Sequence, residues 1–280
     1  MKNTALPIVT AFLTAVSLVL LSTTTLADEA PLYEQEPYDT IKLDEANRNA
    51  ELKVLPLDLA DRIVPAHPKP TDELEIRLIE RPKKSYQVAW ESIVSITLFE
   101  QRVLDEAERL VEAKKLDEAF PYYEILTRRY PKMPALAASY NKFLMAGARE
   151  AFKQEKYDEC LALATDLFTR NADYPGVAVA ILRAAEKLID RRFSEEDFTA
   201  ARLLVAQTSD RLKDLAAPLA ATWNDKLRAK AVALVAEAKQ HVRSNHYDLA
   251  RRDVRLALAA WPETEEACAL AAEIQLKHPE

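Results

Sequence analysis

Four segments of the carboxy-terminal two thirds of the chain repeat one local pattern. A bulky residue is followed three positions later by a small one at Leu116–Ala119, Tyr157–Cys160, Phe198–Ala201 and Tyr247–Ala250. The bulky residues are separated by 41, 41 and 49 positions. A period of this length in a helical chain is typical of repeat arrays. The pattern therefore predicts stacked pairs of helices.

The composition of this region favours helices. Gly147 and Gly176 are the only glycines in the 280 residues, whereas alanine, which loses no side-chain entropy in a helix, is abundant. From Phe99 onward, apolar residues recur at three- and four-residue steps, as they do along the buried face of a helix. We expect eight helices and a closing ninth over residues 263–277. Prolines follow the periodic segments, where helices commonly stop, at Pro131, Pro134, Pro175, Pro218 and Pro262.

Residues 38–99 show a two-residue periodicity instead. Apolar side chains occupy every second position in residues 74–78 and 86–90, and a turn-forming cluster at 44–49 separates two further short strands. Four prolines between residues 56 and 70 argue against a central strand there. We expect a small antiparallel sheet. The run SYQVAWESIVSI resembles the closing strands of SH3-like barrels, and an ordinary three-stranded meander is the alternative.

The amino terminus has the three parts of a secretory signal peptide. Lys2 supplies a positive charge, residues 8–21 an apolar stretch, and Thr25-Leu26-Ala27 a small-residue cleavage site. The apolar stretch is shorter than the ~20 residues that cross a bilayer. We expect cleavage after Ala27 and export to the periplasm or the extracellular space, without a stable membrane span afterwards. An uncleaved anchor is the alternative.

The helical units resemble tetratricopeptide repeats. The segment FKQEKYDEC is similar to the turn between the two helices of that repeat, with Tyr157, Asp158 and Cys160 in its aromatic, acidic and small positions. The resemblance implies a mainly α protein whose helix pairs form an α–α superhelix with an extended groove for a peptide or protein. The expected organisation is a signal peptide (1–27), a flexible acidic lead-in (28–37), a small β domain (38–99) and a helical repeat domain (100–280).

Small and acidic residues have defined roles in this interpretation. Small side chains allow helices to approach at their crossings, and such residues stand in the first helices at Ala107, Ala148 and Ala238. The third unit departs from the pattern, since Ile189 occupies the small position. Acidic residues in the opening turns can cap the second helices. These predicted caps are Asp117, Asp158 and Asp248.

A second resemblance suggests an alternative function. The segments EPYDTIKLDEANRNAELKVLPLD and SYQVAWESIVSITLFEQ look like the amino-terminal region of repeat-containing solute-binding proteins of bacterial peptide transporters. This resemblance implies an accessory or peptide-binding component of a peptide ABC transport system. The principal hypothesis remains an exported interaction scaffold.

The sequence contains few residue patterns that are typical of catalytic or metal-binding sites. His241 and His246 stand five residues apart, which does not place them on one helix face as the paired histidines of a zinc helix require. Nucleotide-binding glycine loops and nucleophile motifs are absent from the sequence. The net charge of −7 argues against nonspecific nucleic-acid binding, which needs a basic surface. We expect a protein that is not an enzyme and uses neither a cofactor nor a metal.

Charged residues suggest one place for a partner. Residues 218–262 contain eight basic and four acidic residues, whereas residues 28–60 contain nine acidic and three basic residues. The basic residues predict a groove wall for an acidic segment or partner. The alternatives are an ordinary solvated helix face or a docking place for the acidic amino-terminal segment. The arginines concerned are Arg243, Arg251, Arg252 and Arg255.

Aromatic residues suggest another place. Tyr122, Tyr123, Tyr130 and Tyr140 cluster around the first repeat junction. They are either core between helices or part of a groove that stacks a peptide. Under the second interpretation, Tyr123 and Tyr140 are the candidates for contact with a partner.

The two cysteines leave two possibilities. Cys160 stands at a small position of the repeat and Cys268 in the predicted last helix. Cys160 is expected to be a buried thiol that acts as a small apolar side chain. A disulfide between the two is the alternative, because an exported chain can form one.

Overall fold

The computed structural model describes residues 30–69 and 72–278. The predicted signal peptide lies outside the described residues. Within them the chain is mainly α-helical with a small antiparallel β region, as expected. Five strands come first: β1 (Asp39–Leu43), β2 (Glu51–Val54), β3 (Glu73–Arg77), β4 (Ser85–Ala89) and β5 (Ile93–Thr97).

Nine α-helices follow in the described residues. They are α1 (Phe99–Glu112), α2 (Leu116–Arg129), α3 (Leu136–Lys153), α4 (Tyr157–Arg170), α5 (Val177–Ser194), α6 (Phe198–Leu212), α7 (Ala217–Arg243), α8 (Tyr247–Ala260) and α9 (Glu265–Lys277). The prolines predicted to interrupt helices lie between them, except Pro218. That residue lies in the first turn of α7, where proline is tolerated because its missing N–H has no helical partner.

The strands form two antiparallel units. β1 lies between β2 and β5 in a three-stranded sheet, while β3 and β4 form a hairpin. A bridge between Val54 and Leu78 connects the two units. The core between them contains Ile41, Val54 and Ile76. The small antiparallel sheet expected from the sequence is confirmed, and the described residues between β2 and β3 contain only a short 3-10 turn, Ala60–Arg62.

The helices pack in chain order. Among the described residues, the main helix contacts join helices that are one or two places apart in the sequence. The repeat spacing follows from helix lengths, since α3 and α5 each have 18 residues and α7 has 27. The longer α7 explains why the last spacing is 49 positions rather than 41.

The turn inside each helix pair has the same geometry four times. The second residue after the first helix has a left-handed backbone, with φ between 59° and 60°, at Lys114, Glu155, Glu196 and Asn245. The next residue donates its N–H to a carbonyl five positions earlier, as Lys115 does to Leu110 at 2.9 Å and His246 does to His241 at 2.8 Å. This is the Schellman ending of a helix. The third unit, with its atypical sequence, has the same turn.

The small residues of the repeat are buried, as a place at the helix crossings would require. Ala107, Ala148 and Ala238 in the first helices are completely buried. Ala119, Cys160, Ala201 and Ala250 in the second helices are equally inaccessible. Ile189, which replaces a small residue in the third unit, is also fully buried.

The predicted helix caps are wrong at three positions. Helices α2, α4 and α8 begin at the bulky residue, so Asp117, Asp158 and Asp248 lie in the first turn rather than at the cap. Their negative charge there favours the helix through its dipole. Asp197 is a true cap, because its side chain accepts a hydrogen bond from the backbone N–H of Ala200 at 3.2 Å.

The lead-in is more structured than its composition predicts. Residues Leu32–Glu34 form a 3-10 turn that packs against α1 and α2. The ring of Tyr33 meets that of Tyr122 edge to face, with centroids 4.9 Å apart. Apolar burial therefore fixes a segment that its acidic residues suggested would be flexible. The described part of the lead-in, from residue 30 onward, lies on the first helix pair and not on the basic segment of α7 and α8.

A buried ion triad joins the β region to α1. Asp39 of β1 is completely buried, and Glu100 of α1 is nearly so. The Arg62 guanidinium lies between them, 2.8 Å from an oxygen of each carboxylate. Burial lowers the pKa of Arg62, but its hydrogen bonds with Glu100 and Asp39 outweigh that effect and raise the pKa above its ordinary value. The triad thus holds a charged arginine at the junction of strands and helices.

Candidate binding groove

A groove of about 460 Å³ runs over α3 between α2 and α4. Its apolar lining includes Phe120 from α2, Leu163 from α4, and Tyr140, Phe143 and Leu144 from α3. Phe120 is 51% exposed, although its ring is large and apolar. Exposed aromatic surface inside a concave site is typical of places where ligands or peptides bind.

The floor of the groove depends on Gly147. A Cβ atom at this position would stand 3.0 Å from Cδ1 of Leu163. The missing side chain therefore lets Leu163 of α4 lie against the backbone of α3. Glycine in the middle of a helix costs about 1 kcal/mol relative to alanine, and here it gives a close helix approach beneath an open cleft.

The groove rim carries both signs of charge. Glu150 pairs with Lys153 at 3.3 Å, and Asp166 pairs with Arg170 at 2.9 Å. Four further charged residues line the rim and form no ion pair among the described residues. They are Asp117, Glu159, Lys114 and Lys156. The rim therefore offers charged contacts to a segment of either sign, while the apolar floor supplies the main contact area.

Tyr140 and Tyr123 have different roles in the structure. Tyr140 is half-buried, lines the groove and has the Arg170 guanidinium 4.7 Å from its ring centre. Tyr123 is only 1% exposed, and its hydroxyl is 2.7 Å from the Ser139 hydroxyl. Burial raises the pKa of Tyr123, while the hydrogen bond to Ser139 opposes the rise. The prediction that Tyr123 contacts a partner is corrected, because its ring belongs to the core.

Tyr123 still supports the groove from below. Its ring centre lies 5.4 Å from that of Tyr140 and 4.8 Å from that of Phe143. Such aromatic clusters hold rings in fixed orientations. The two other tyrosines lie elsewhere: Tyr122 packs beneath the lead-in, and Tyr130 lies at the junction with the β region.

The four candidate arginines do not form one wall. Arg251 and Arg255 lie one turn apart on α8 and line a small cleft against α9. Arg251 also binds Asp248 and the backbone carbonyl of His278. Arg252 points to the preceding unit, where it pairs with Glu196 at 3.0 Å. Arg243 is exposed at the end of α7. These arginines are close in the sequence, but their side chains leave the helices in different directions and meet different neighbours.

The histidines lie closer together than their spacing suggested. The rings of His241 and His246 are 6.2 Å apart, because the turn after α7 brings His246 back. His241 also faces Asp253 of α8, with Nε2 3.4 Å from Oδ2. Within residues 30–69 and 72–278, no cluster of three or more metal-binding side chains is found.

The cysteines are both free. Cys160 is buried on α4, and Cys268 is exposed on α9. Burial raises the pKa of the Cys160 thiol. This is the environment expected of a thiol that packs as a small apolar side chain.

None of the helices in the described part of the chain combines the length and hydrophobicity that crossing a bilayer needs. No protein-family model matches the sequence, and no curated protein matches it.

Proposed function

We propose that the chain is a noncatalytic interaction scaffold that binds a peptide segment of a protein partner in the groove between α2 and α4. The observation that carries this proposal is the exposed Phe120 above the apolar floor formed with Leu163 and Gly147. An apolar side chain of the partner would be buried there, and the rim would contact its polar backbone and charges. The signal peptide expected from the sequence supports an exported compartment as the place of this activity.

The architecture suits such a role. Helix pairs that contact mainly their chain neighbours, with one turn geometry repeated four times, support a tetratricopeptide-like superhelix. Solenoids of this kind present extended surfaces, because each unit uses only part of its surface to hold its neighbours. The antiparallel pairing of the last strand, β5, with the first, β1, supports an SH3-like arrangement of the strands. In this proposal the β region closes the amino-terminal end of the helical array.

Site-specific crosslinking tests this function. A photoreactive phenylalanine analogue at position 120 should capture a partner from the exported compartment, and digestion should locate the crosslink in one short segment of that partner. Val179 on α5 provides the matched position, since it is 54% exposed and lies outside the groove. Equal capture from positions 120 and 179, or no capture from position 120, would contradict the proposal.

A synthetic copy of the captured segment allows a quantitative check. Phe120→Ala should weaken its binding at least tenfold, because truncation of a buried aromatic anchor commonly costs more than 1 kcal/mol. Val179→Ala should leave the affinity unchanged. Both changes affect exposed side chains and should alter the free energy of unfolding by less than about 0.5 kcal/mol.

A further inference from the structure

A second cleft, of about 290 Å³, lies where the β region meets the first helices. Its apolar lining includes Leu98, the half-buried Met133, and two prolines, Pro131 and Pro134. Clefts at such junctions, with apolar walls and a few polar groups, are common binding places for small molecules. This cleft is separate from the groove over α3 and shares none of its lining residues.

The Arg62 guanidinium forms one wall of the cleft, and all of its hydrogen-bond donors are already in use. Arg62 donates through Nε to Glu100 and through its two terminal nitrogens to Asp39, Glu100 and the Leu57 carbonyl. These five hydrogen bonds use all five donors that an arginine has. Arg62 therefore forms a rigid wall and has no donor left for a ligand.

Other polar groups at the cleft remain available. Arg129 forms no ion pair or hydrogen bond through its side chain among the described residues, although it lines the cleft. The hydroxyl of the half-buried Tyr130 has no hydrogen-bond partner there either. Burial raises the pKa of Tyr130, with the nearby Glu100 adding to the rise and Arg62 and Arg129 opposing it. Tyr130 is thus a protonated donor beside an unpaired cation.

Each carboxylate that lines the cleft already has a cationic partner. Glu100 is held by Arg62, and Asp61 pairs with Lys132 at 3.4 Å. Lys132 and Asp61 are both well exposed, so that pair is weak and Lys132 can turn toward an anion. The lining residues contain three cations and two carboxylates, and the cation without a carboxylate partner is Arg129. Because Arg62 is shared with the buried Asp39 behind the cleft, three carboxylates balance the three cations, and Arg129 is the cation left free to contact a ligand.

We propose that this cleft binds a small organic acid, with its carboxylate on Arg129 and the Tyr130 hydroxyl and its apolar body between Leu98 and Met133. A guanidinium and a phenol both donate to carboxylate oxygens, and a charged partner strengthens such hydrogen bonds. The cleft volume suits a ligand with an aromatic ring and a short chain. A ligand there would touch both the β region and the helices.

Three probes of nearly one shape test the proposal on the full chain. They are 3-phenylpropionate, its neutral amide 3-phenylpropanamide, and 3-phenylpropylamine, and their binding is followed by NMR titration. We expect saturable binding of the acid in the millimolar range or tighter, as ligands of this size allow. The amide should bind at least about fivefold more weakly and the amine not measurably, because they lose the charged contact. Shifted signals should include Met133.

Two variants and a control locate the anion. Arg129→Gln should weaken binding of the acid about tenfold or more, and Tyr130→Phe about threefold. Arg128→Gln removes an exposed arginine that is next in the sequence but does not line the cleft, and it should change nothing. Thermal unfolding of each variant verifies that the chain remains folded.

Several results would overturn the proposal. Equal binding of the acid and the amide would show that the charge is not recognised. Binding of the acid that Arg129→Gln leaves unchanged would place the anion elsewhere, as would shifts that do not include Met133. Failure of the acid to bind at concentrations of about 10 mM would show that the cleft is not a site for this class of ligand.

Discussion

The Asp39 carboxylate of β1 accepts a hydrogen bond at 2.8 Å from the backbone N–H of Phe99, the first residue of α1. Leu98, at the cap position, provides no side-chain hydrogen bond. A residue 60 positions away therefore satisfies a helix donor that a local cap would ordinarily satisfy. The same carboxylate accepts the N–H of Leu57 at 2.8 Å and two bonds from Arg62. One buried acid thus joins the strands to the helical array.

Replacement of Asp39 should destabilise the folded chain strongly. Asp39→Ala would remove one of the two carboxylates that pair with Arg62. It would also leave the backbone N–H groups of Phe99 and Leu57 buried without acceptors. Loss of one partner from a buried ion pair commonly costs about 3–5 kcal/mol. We expect a fall of at least about 3 kcal/mol in the free energy of unfolding, measured by urea denaturation.

An exposed ion pair nearby provides the control. Lys132→Ala removes the pair with Asp61, whose atoms are 3.4 Å apart and whose side chains are both exposed. Such pairs contribute less than about 1 kcal/mol. If Asp39→Ala proves as mild as Lys132→Ala, the buried triad does not hold the junction.

The repeated turns predict a stabilising substitution. Glu155 has φ of 59°, a left-handed conformation that costs L-residues about 1–2 kcal/mol. Glu155→Gly removes that strain but increases the entropy of the unfolded chain. We expect a net gain of about 0.5–1 kcal/mol in the free energy of unfolding.

Asn245 is the matched control for this turn. It has the same φ of 59°, but asparagine tolerates the left-handed region better than glutamate does. Asn245→Gly should therefore change stability little. A loss of stability in Glu155→Gly, or an equal gain at both positions, would contradict the assignment of strain.

The buried Asp253 predicts a pH dependence. Burial raises its pKa, and nearby Glu237 and Glu196 add to the rise while His241 and Arg252 oppose it. The folded chain therefore holds this proton more tightly than the unfolded chain does. The free energy of unfolding should fall as pH rises from the ordinary aspartate pKa, about 3.9, through the raised value of the folded state.

Asp253→Asn separates this effect from the other titrations. The variant should be more stable than the natural chain at pH 7, because it lacks the buried charge, and equally stable near pH 3, where Asp253 is protonated. Chemical denaturation at the two pH values measures the difference. A variant that is less stable at pH 7 would show that the contact with His241 outweighs the cost of burial.

Much of the fold follows from local patterns. The helix pairs were predicted because bulky and small residues recur at fixed positions, and the hairpins because apolar residues alternate on either side of 44–49 and 80–85. The four left-handed turns were not predicted. Lys114, Glu155 and Glu196 are not glycines, so their sequences give no sign of a positive φ.

The groove was harder to infer than the fold. Phe120 follows the buried Ala119 and lies off the face that Tyr123 and Leu126 bury. The sequence features that could have indicated the groove were an aromatic residue outside the apolar face of α2 and Gly147 in the middle of α3. Arg62 could not be predicted to join Asp39 and Glu100, because long-range contacts between separate elements leave no periodic pattern.

Hydrogen exchange with and without the crosslinked partner segment tests the central claim most directly. Binding in the groove should slow exchange in α2, α3 and α4, since these helices form its walls and floor, and should leave α7, α8 and α9 unchanged. Protection confined to α7, α8 and α9 would place the partner on the arginine-bearing units and contradict the account.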